Sequence, residues 1–192
     1  MNKIIITTIM FLGGCATIQP QKTECFSDDR NCVLIEDLVY SIGKSNIKVR
    51  VPKGFVTDYA SIPQALWSLG LSPHGRYSKA AIVHDYLYWS RDCTKQQADN
   101  ILLIAMKESN VSIADQTFIY EGVNIFGKPS WESNNNEREQ QLPRIIPSKY
   151  MQLPDDIEWS DYRTYLVSKG VSDPAFQKNA PYCKLGNSKQ IP

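Results

Sequence analysis

One short stretch of the sequence places ionisable side chains where a buried helix is expected. Residues 80–89, AAIVHDYLYW, carry His84 and Asp85 among apolar and aromatic residues, a pattern typical of a buried helix. The chain of 192 residues contains only two histidines. Because burying an ionisable group is costly unless it is paired, His84 requires either a structural partner or a chemical role.

A second predicted helix supplies the partner. Residues 78–89 form one helical segment, and a T-x-x-Q capping box made by Thr94 and Gln97 starts the next. Asp99 lies on the apolar stripe of that second helix, and the short connection makes the two helices antiparallel neighbours. We therefore predict a hydrogen bond between His84 and Asp99, which leaves the other imidazole nitrogen as a base near neutral pH. The alternative is a purely structural role, in which the buried pair fixes the register of the two helices.

The neighbouring aspartate points in another direction. Asp85 is rotated by about 100° from His84 around the helix axis, so it is not expected to join the same pair. A carboxylate beside a free imidazole nitrogen is a position where an enzyme can hold a metal ion. Asp58, in the turn VTDYASIP, is the best candidate for a second oxygen ligand, with a turn or capping role as the alternative.

The N-terminus has the features of a lipoprotein export signal. Lys3 precedes an apolar run, IIITTIMFLGG, that is far too short to span a bilayer as a mature helix. Residues 12–15, LGGC, resemble the bacterial lipobox; an ordinary secretory peptide is the alternative. The resemblance implies that Cys15 carries acyl chains that form a permanent anchor. Ala16 after the cysteine implies the outer membrane of a Gram-negative cell.

The remaining cysteines also indicate an exported protein. Cys25, Cys32, Cys93 and Cys183 are even in number, which indicates two disulfides. We favour a short bridge from Cys25 to Cys32 and a long bridge from Cys93 to Cys183 that ties the tail to the core. Zinc binding is the competing interpretation, but no C-x-x-C pair is present.

The rest of the chain predicts one α+β domain. Two β runs, CVLIEDLVYSI and NIKVRV, flank the turn GKS and form an N-terminal hairpin, which packs on a central core of three helices. A cap made by Ser112 with Asp115 starts the third helix, and Gly127 with Pro129 ends it. The polar stretch SNNNEREQQLP is expected to be a surface loop, and one helix is expected near SDYRTYLVSKG. The predicted divisions are a signal peptide (1–14), a lipidated tether with a small cysteine loop (15–32), a core domain (33–130) and a loop-rich, disulfide-tied extension (131–192).

Charge and hydropathy exclude two kinds of partner contact. The net charge of +1 provides no electrostatic footprint for nucleic acid. No second apolar stretch is long enough to cross a membrane. The lipid at Cys15 is therefore the membrane attachment that the sequence predicts.

Three stretches resemble a domain-of-unknown-function family found in bacteriophages and prophages. They are GFVTDYASIPQALW, RYSKAAIVHDYLYW and ADNILLIAMKESNV, all within residues 54–111. The family pattern is roughly F-x-T-D-x-A-S-I-P, then A-A-x-x-H-D-x-L-Y, then A-D. This resemblance implies a phage or prophage origin and carries no established chemistry.

A second resemblance implies a reaction. His84 and Asp85 with Tyr88 are similar to the H-D-x-x-Y helix of secreted phospholipases that cleave the sn-2 ester, and Asp99 lies where that family supplies the aspartate that orients the histidine. The resemblance implies that His84 activates a water and that Asp85 binds calcium. It also implies that Tyr88 and Asp99 hold the network. The glycine-rich calcium loop of that family is absent, and its flanking cysteines are replaced by Ala81, Ile82 and Tyr86.

Together these patterns predict an outer-membrane lipoprotein of phage or prophage type. His84, Asp85 and Asp99 would form a hydrolase-like site that acts on an envelope component such as a lipid. The alternative is a non-catalytic lipoprotein that binds an envelope protein, for example a phage superinfection-exclusion factor, and keeps the same residues for folding.

Overall fold

The strands lie at the N-terminal end of the fold and the helices follow them. The computed structural model describes residues 21–59 and 76–192, so Cys15 and the signal peptide lie outside the described residues. The strands are β1 (Thr23–Cys25), β2 (Cys32–Leu34), β3 (Leu38–Ser41), β4 (Lys48–Val51) and β5 (Val56–Thr57). The α-helices are α1 (Ser78–Ser90), α2 (Lys95–Glu108), α3 (Ile113–Phe126), α4 (Lys128–Glu139) and α5 (Trp159–Ser168). Short 3-10 helices cover Ser148–Tyr150 and Pro181–Asn187. The predicted α+β class is confirmed.

The strands form two small antiparallel sheets. β3 and β4 make the hairpin that the sequence predicts, with Leu38 opposite Val51. The residues of β2 belong to the run CVLIEDLVYSI, which the sequence predicts as one arm of that hairpin. Instead, β2 lies between β1 and β5 in a three-stranded sheet, the first sheet of the chain. All three residues of β2 are buried, so this strand is stabilised by pairing on both edges.

The second and third helices begin at the capping residues that the sequence predicts, and the third helix ends at Gly127 as predicted. Thr94 accepts a hydrogen bond from the backbone of Gln97, whose side chain accepts one from the backbone of Thr94, so the capping box of α2 is complete. Ser112 accepts a bond from the backbone N–H of Asp115 at the start of α3. Local hydrogen bonds of this kind involve near neighbours in sequence, and the sequence therefore reveals them.

The polar stretch after the third helix is itself a helix, so the prediction of a surface loop there is wrong. α4 begins at Lys128 with Pro129 in its first turn, where the missing proline N–H breaks no helical bond. The Arg138 guanidinium donates to the carbonyl of Ser90 at 2.7 Å, and the Arg91 guanidinium lies 4.3 Å from the Trp131 ring centroid. These contacts hold a mostly polar helix against the end of α1. The predicted division between residues 130 and 131 falls inside α4.

Both predicted disulfides are formed, and they connect the two ends of the fold to its centre. Cys25 bonds Cys32 beside the first sheet, and Cys93 bonds Cys183 across a sequence separation of 90 residues. The main core lies between the strands and α1 to α3. A second core packs α5 against the first sheet and includes Phe26 and Trp159. Within residues 21–59 and 76–192, no helix is long and apolar enough to cross a membrane.

Candidate functional site

The predicted meeting of a histidine and an aspartate on neighbouring helices is confirmed. α1 ends at Arg91, which adopts a left-handed conformation with φ of 52°, and α2 begins after Thr94. This tight connection turns the chain back, so that α1 and α2 pack together. His84 Nε2 lies 2.9 Å from Asp99 Oδ1. The two side chains are 3% and 0% exposed, so this bond lies inside the protein.

Asp99 accepts three hydrogen bonds through its two carboxylate oxygens. Tyr88 donates to Oδ1 at 2.7 Å, the same oxygen that contacts His84. Lys95 donates to Oδ2 at 2.7 Å. Burial by itself raises the pKa of Asp99, but the hydrogen bonds from His84, Lys95 and Tyr88 outweigh it and hold that pKa below its ordinary value. Asp99 is therefore an ionised carboxylate at neutral pH.

The charge on Asp99 decides the tautomer of His84. An ionised carboxylate can only accept hydrogen bonds, so Nε2 of the imidazole carries the proton in their shared bond. In the neutral ring, Nδ1 then keeps its lone pair and can accept a proton. Nδ1 makes no hydrogen bond with any residue in the described part of the chain. The Tyr88 ring packs 4.1 Å from the imidazole between centroids, which fixes the ring orientation.

His84 lines a groove of about 850 Å³. Asp85 and Tyr88 of α1 lie on the same side of this groove, and α3 forms an apolar wall that includes Phe118 and Phe126. The groove is also lined by Asn31, from the Cys25–Cys32 loop, and by Arg144 and Arg163 from the C-terminal half. A volume of this size is typical of small-molecule sites. The histidine thus belongs to a concave surface rather than to the centre of the core.

The two predicted metal ligands line the same groove but have protein partners. Thr57 donates to Asp85 Oδ2 at 2.5 Å, and Arg144 Nη2 lies 3.3 Å from Asp58 Oδ1. Calcium in proteins takes six to eight oxygen ligands. Among the described residues, no group of three His, Cys, Asp or Glu side chains is arranged to hold a metal ion. These residues do not form a calcium cage, and calcium binding stays a prediction from the resemblance.

Three residues of the site were not singled out from the sequence. Lys95 precedes Asp99 by four residues, so helical spacing alone could have identified this pair. Lys95 also donates to the carbonyl of Val123 at 2.9 Å, and so connects the end of α3 to the site. Arg144 lines the groove and the buried Thr57 contacts Asp85 through tertiary structure, and no local pattern marks either of them.

Arg144 holds the C-terminal half against the first sheet. Its Nε donates to the carbonyl of Val56 at 2.8 Å, and its Nη1 lies 3.3 Å from the side-chain oxygen of Asn134. Asp173 accepts bonds from the backbone of Arg144 and Ile145 and from the Trp89 indole. Burial raises the pKa of Asp173 despite these donors. The tail therefore contributes one wall of the groove and is anchored through buried polar contacts.

In comparison with known proteins, part of the chain matches a family that is described without a function. Residues 32–123 match a family described as protein of unknown function, DUF1353. The chain is also 32% identical over 88 residues to an uncharacterized protein, y4jT, of Sinorhizobium fredii. This similarity covers 45% of the chain and only 26% of that relative. No solved structure matches the chain. The family segment contains both helices of the His84–Asp99 pair, whereas Arg144 and α5 lie beyond it.

Proposed function

We propose that this protein is a lipid-anchored hydrolase of the Gram-negative outer membrane, of phage or prophage type, that cleaves an ester or related bond in an envelope component. The observation that carries the proposal is the bond between His84 Nε2 and the ionised Asp99 carboxylate, which leaves Nδ1 of a groove-lining histidine as a base. Buried ionisable groups in a concave site are typical of catalytic centres.

The proposed reaction uses water as the nucleophile. Nδ1 of His84 takes a proton from a water molecule while the water oxygen attacks the carbonyl carbon of the ester. The imidazolium that forms is stabilised by the Asp99 carboxylate through Nε2–H. When the ester C–O bond breaks, the proton passes from Nδ1 to the leaving oxygen. Asp99 and Tyr88 act as positioning residues, since they contact His84 or its partner rather than the substrate.

The direct test replaces the base and keeps its contact with Asp99. In His84→Gln, the amide nitrogen of glutamine can still donate to Asp99 Oδ1, but no base remains. The purified protein is incubated with vesicles of bacterial phospholipid and separately with isolated peptidoglycan, and released products are identified by mass spectrometry. General-base catalysis contributes roughly 10²- to 10⁴-fold, so we expect His84→Gln to lose at least about a hundredfold of the rate. Lys79→Gln, on the same helix, is the matched control.

Two outcomes contradict the proposal. Folded His84→Gln protein that hydrolyses as fast as Lys79→Gln would remove the histidine from the reaction. If the native protein releases nothing from phospholipid or peptidoglycan, the hydrolase proposal should be abandoned. Thermal melting of each variant shows whether a lost rate reflects lost chemistry or lost folding.

The proposed anchor has its own test. The protein is produced with its natural signal peptide, and separately behind an ordinary cleavable signal peptide with Cys15→Ser. We expect the first form to carry the mass of acyl chains and to stay with the outer membrane through an alkaline carbonate wash, and the second to lack that mass and to be extracted by the wash. Outer-membrane recovery of an unacylated native form would refute lipidation at Cys15.

A second candidate function is a non-catalytic envelope-binding lipoprotein, such as a phage superinfection-exclusion factor. The near-complete burial of His84 and Asp99 favours it, because a pair this buried also fixes the register of α1 against α2. This candidate predicts that cells expressing His84→Gln exclude phage as well as cells expressing the native protein. Loss of exclusion by a normally folded His84→Gln variant would contradict it.

A further inference from the structure

The third helix of the fold presents an apolar face to solvent beside the groove. Nine large apolar side chains are exposed in the described part of the chain, and four of them lie on α3: Ile113, Phe118, Ile125 and Phe126. Phe126 is 75% exposed and Ile125 is 61% exposed. Only Ile119 and Tyr120 of this helix are buried. Single exposed apolar residues are ordinary, but a cluster on one element marks an interaction surface.

Three of these side chains form one continuous stripe with a glycine. Phe118, Gly122, Ile125 and Phe126 follow a spacing of four, seven and eight residues, which places them within an arc of about 100° around the helix. A Cβ atom added to Gly122 would meet nothing within 4 Å, so the centre of the stripe is open. The stripe, defined here as the α3 face, also lines the groove that contains His84.

We propose that the α3 face is the surface by which this domain lies on a phospholipid bilayer. The inference rests on the lipid anchor of the proposed function. From Cys15 to Gln21, where the described fold begins, six residues of extended chain span about 20 Å at most. The Cys25–Cys32 loop that follows contributes Asn31 to the groove. The tether therefore holds this side of the domain within reach of the lipid to which Cys15 is attached.

The charge of α3 indicates how the face binds. The helix carries Asp115 and Glu121 and has no lysine, arginine or histidine. Binding to anionic headgroups through cationic side chains is thus not available to it. The face enters the interface by burying apolar side chains, as amphipathic helices do to a depth of about 5–10 Å. Binding should therefore occur on zwitterionic lipid and should not weaken at high salt.

This arrangement deepens the proposed function by naming where the substrate comes from. A bilayer under the α3 face brings acyl chains and their ester bonds to the mouth of the groove, which His84 lines. The substrate class is then a membrane phospholipid, entering from the lipid surface rather than from solution.

The test measures binding without the acyl anchor and without turnover. The exported chain with Cys15→Ser is mixed with phosphatidylcholine vesicles, and the bound fraction is measured by flotation at low and high salt. We expect binding at both salt concentrations, and a loss of roughly tenfold or more in Ile125→Ser/Phe126→Ser, because two large apolar side chains no longer leave water. Ile191→Ser removes a comparable side chain, 47% exposed, near the C-terminus and is the matched control.

Failure of vesicle binding, or binding that does not depend on the α3 face, overturns the inference. If the Cys15→Ser protein does not float with vesicles, the α3 face does not bind a membrane. The same conclusion follows if Ile125→Ser/Phe126→Ser floats as well as Ile191→Ser. If the double variant leaves flotation unchanged but converts a dimer to a monomer in sedimentation, the face is a protein interface. The His84→Gln variant should float as well as the native protein. If the native protein floats with vesicles but hydrolyses no lipid, the proposed enzyme is refuted and the membrane-binding face is not.

Discussion

The buried carboxylate of Asp99 should be the most sensitive polar position in the described fold. Asp99→Asn keeps the shape of the side chain but removes the charge that accepts from His84, Tyr88 and Lys95. Breaking a buried ion pair by removing one partner costs about 3–5 kcal/mol. We expect the lower end of that range, because the Lys95 side chain is 19% exposed and keeps the carbonyl of Val123 as an acceptor.

The assay is urea and thermal unfolding with both disulfides intact. For a chain of this size, a loss of about 3 kcal/mol corresponds to a fall in Tm of roughly 6–12 °C. Asp155→Asn, at an exposed turn position, is the matched control and should change the free energy of unfolding by less than about 0.5 kcal/mol. An Asp99→Asn protein within about 1 kcal/mol of the native protein would refute the argument that the three donors depend on a buried charge.

A double-mutant cycle separates the ion pair from the other bonds of Asp99. Lys95→Met alone leaves the carboxylate with two donors and should cost about 1.5–3 kcal/mol, the usual range for a hydrogen bond to a charged group. The double variant Lys95→Met/Asp99→Asn leaves neither an unpaired ammonium nor an unpaired carboxylate. Its loss should be smaller than the sum of the single losses. Strict additivity would contradict a direct interaction between the two side chains.

Three further predictions concern the rest of the fold. Gly54→Ala should destabilise the protein, because Gly54 has φ of +85° and an added Cβ would lie 2.1 Å from the carbonyl oxygen of Ile146. Gly122→Ala has open space around it and should leave the free energy of unfolding unchanged or raise it by up to about 1 kcal/mol, because alanine favours the helix. Equal losses of stability for the two variants in urea unfolding would contradict this. Removing the long disulfide by Cys93→Ser should lower the free energy of unfolding by up to about 4.6 kcal/mol, as expected for a closed loop of this length, and an unchanged urea midpoint would contradict it. The pKa of Asp99 in the folded protein is lowered, so its stabilising contribution is fully present above the unfolded pKa of about 3.9 and is lost as the pH falls through the lower folded value. In a series of urea titrations, the difference in free energy of unfolding between the native and Asp99→Asn proteins should therefore shrink below about pH 4. A difference that stays constant down to strong acid would refute this.

The proposed anchor and the proposed membrane surface act on the same side of the domain. The Cys25–Cys32 loop adjoins the groove through Asn31, and α3 lines the same groove. α3 also receives the Lys95 ammonium at its C-terminal carbonyls, the same ammonium that binds Asp99. A displacement of α3 at a membrane would therefore move the Lys95 ammonium, which binds both α3 and Asp99.

The sequence by itself determined the parts of this protein that depend on neighbours along the chain. Helical spacing placed His84 and Asp99 on facing stripes, and the box of Thr94 and Gln97 set the start of the second helix. The even number of cysteines after Cys15 indicated the two disulfides. These features depend on the spacing of residues along the helices or on the even number of cysteines, and a single sequence contains that information.

The tertiary structure alone decided how the groove is closed and which residues surround the pair. Arg144 reaches Asp58 across 86 positions of sequence, and α4, a mostly polar helix, is held against α1 by contacts that include Trp131 against Tyr88. β2 pairs with β1 and β5 rather than with the adjacent hairpin. Its three residues are buried, and their backbone N–H and C=O groups need hydrogen-bond partners on both edges of the strand. Contacts between distant segments leave no periodic trace in the chain. The contact between His84 and Asp99 is therefore a property of two helices, whereas the groove around it is a property of the whole fold.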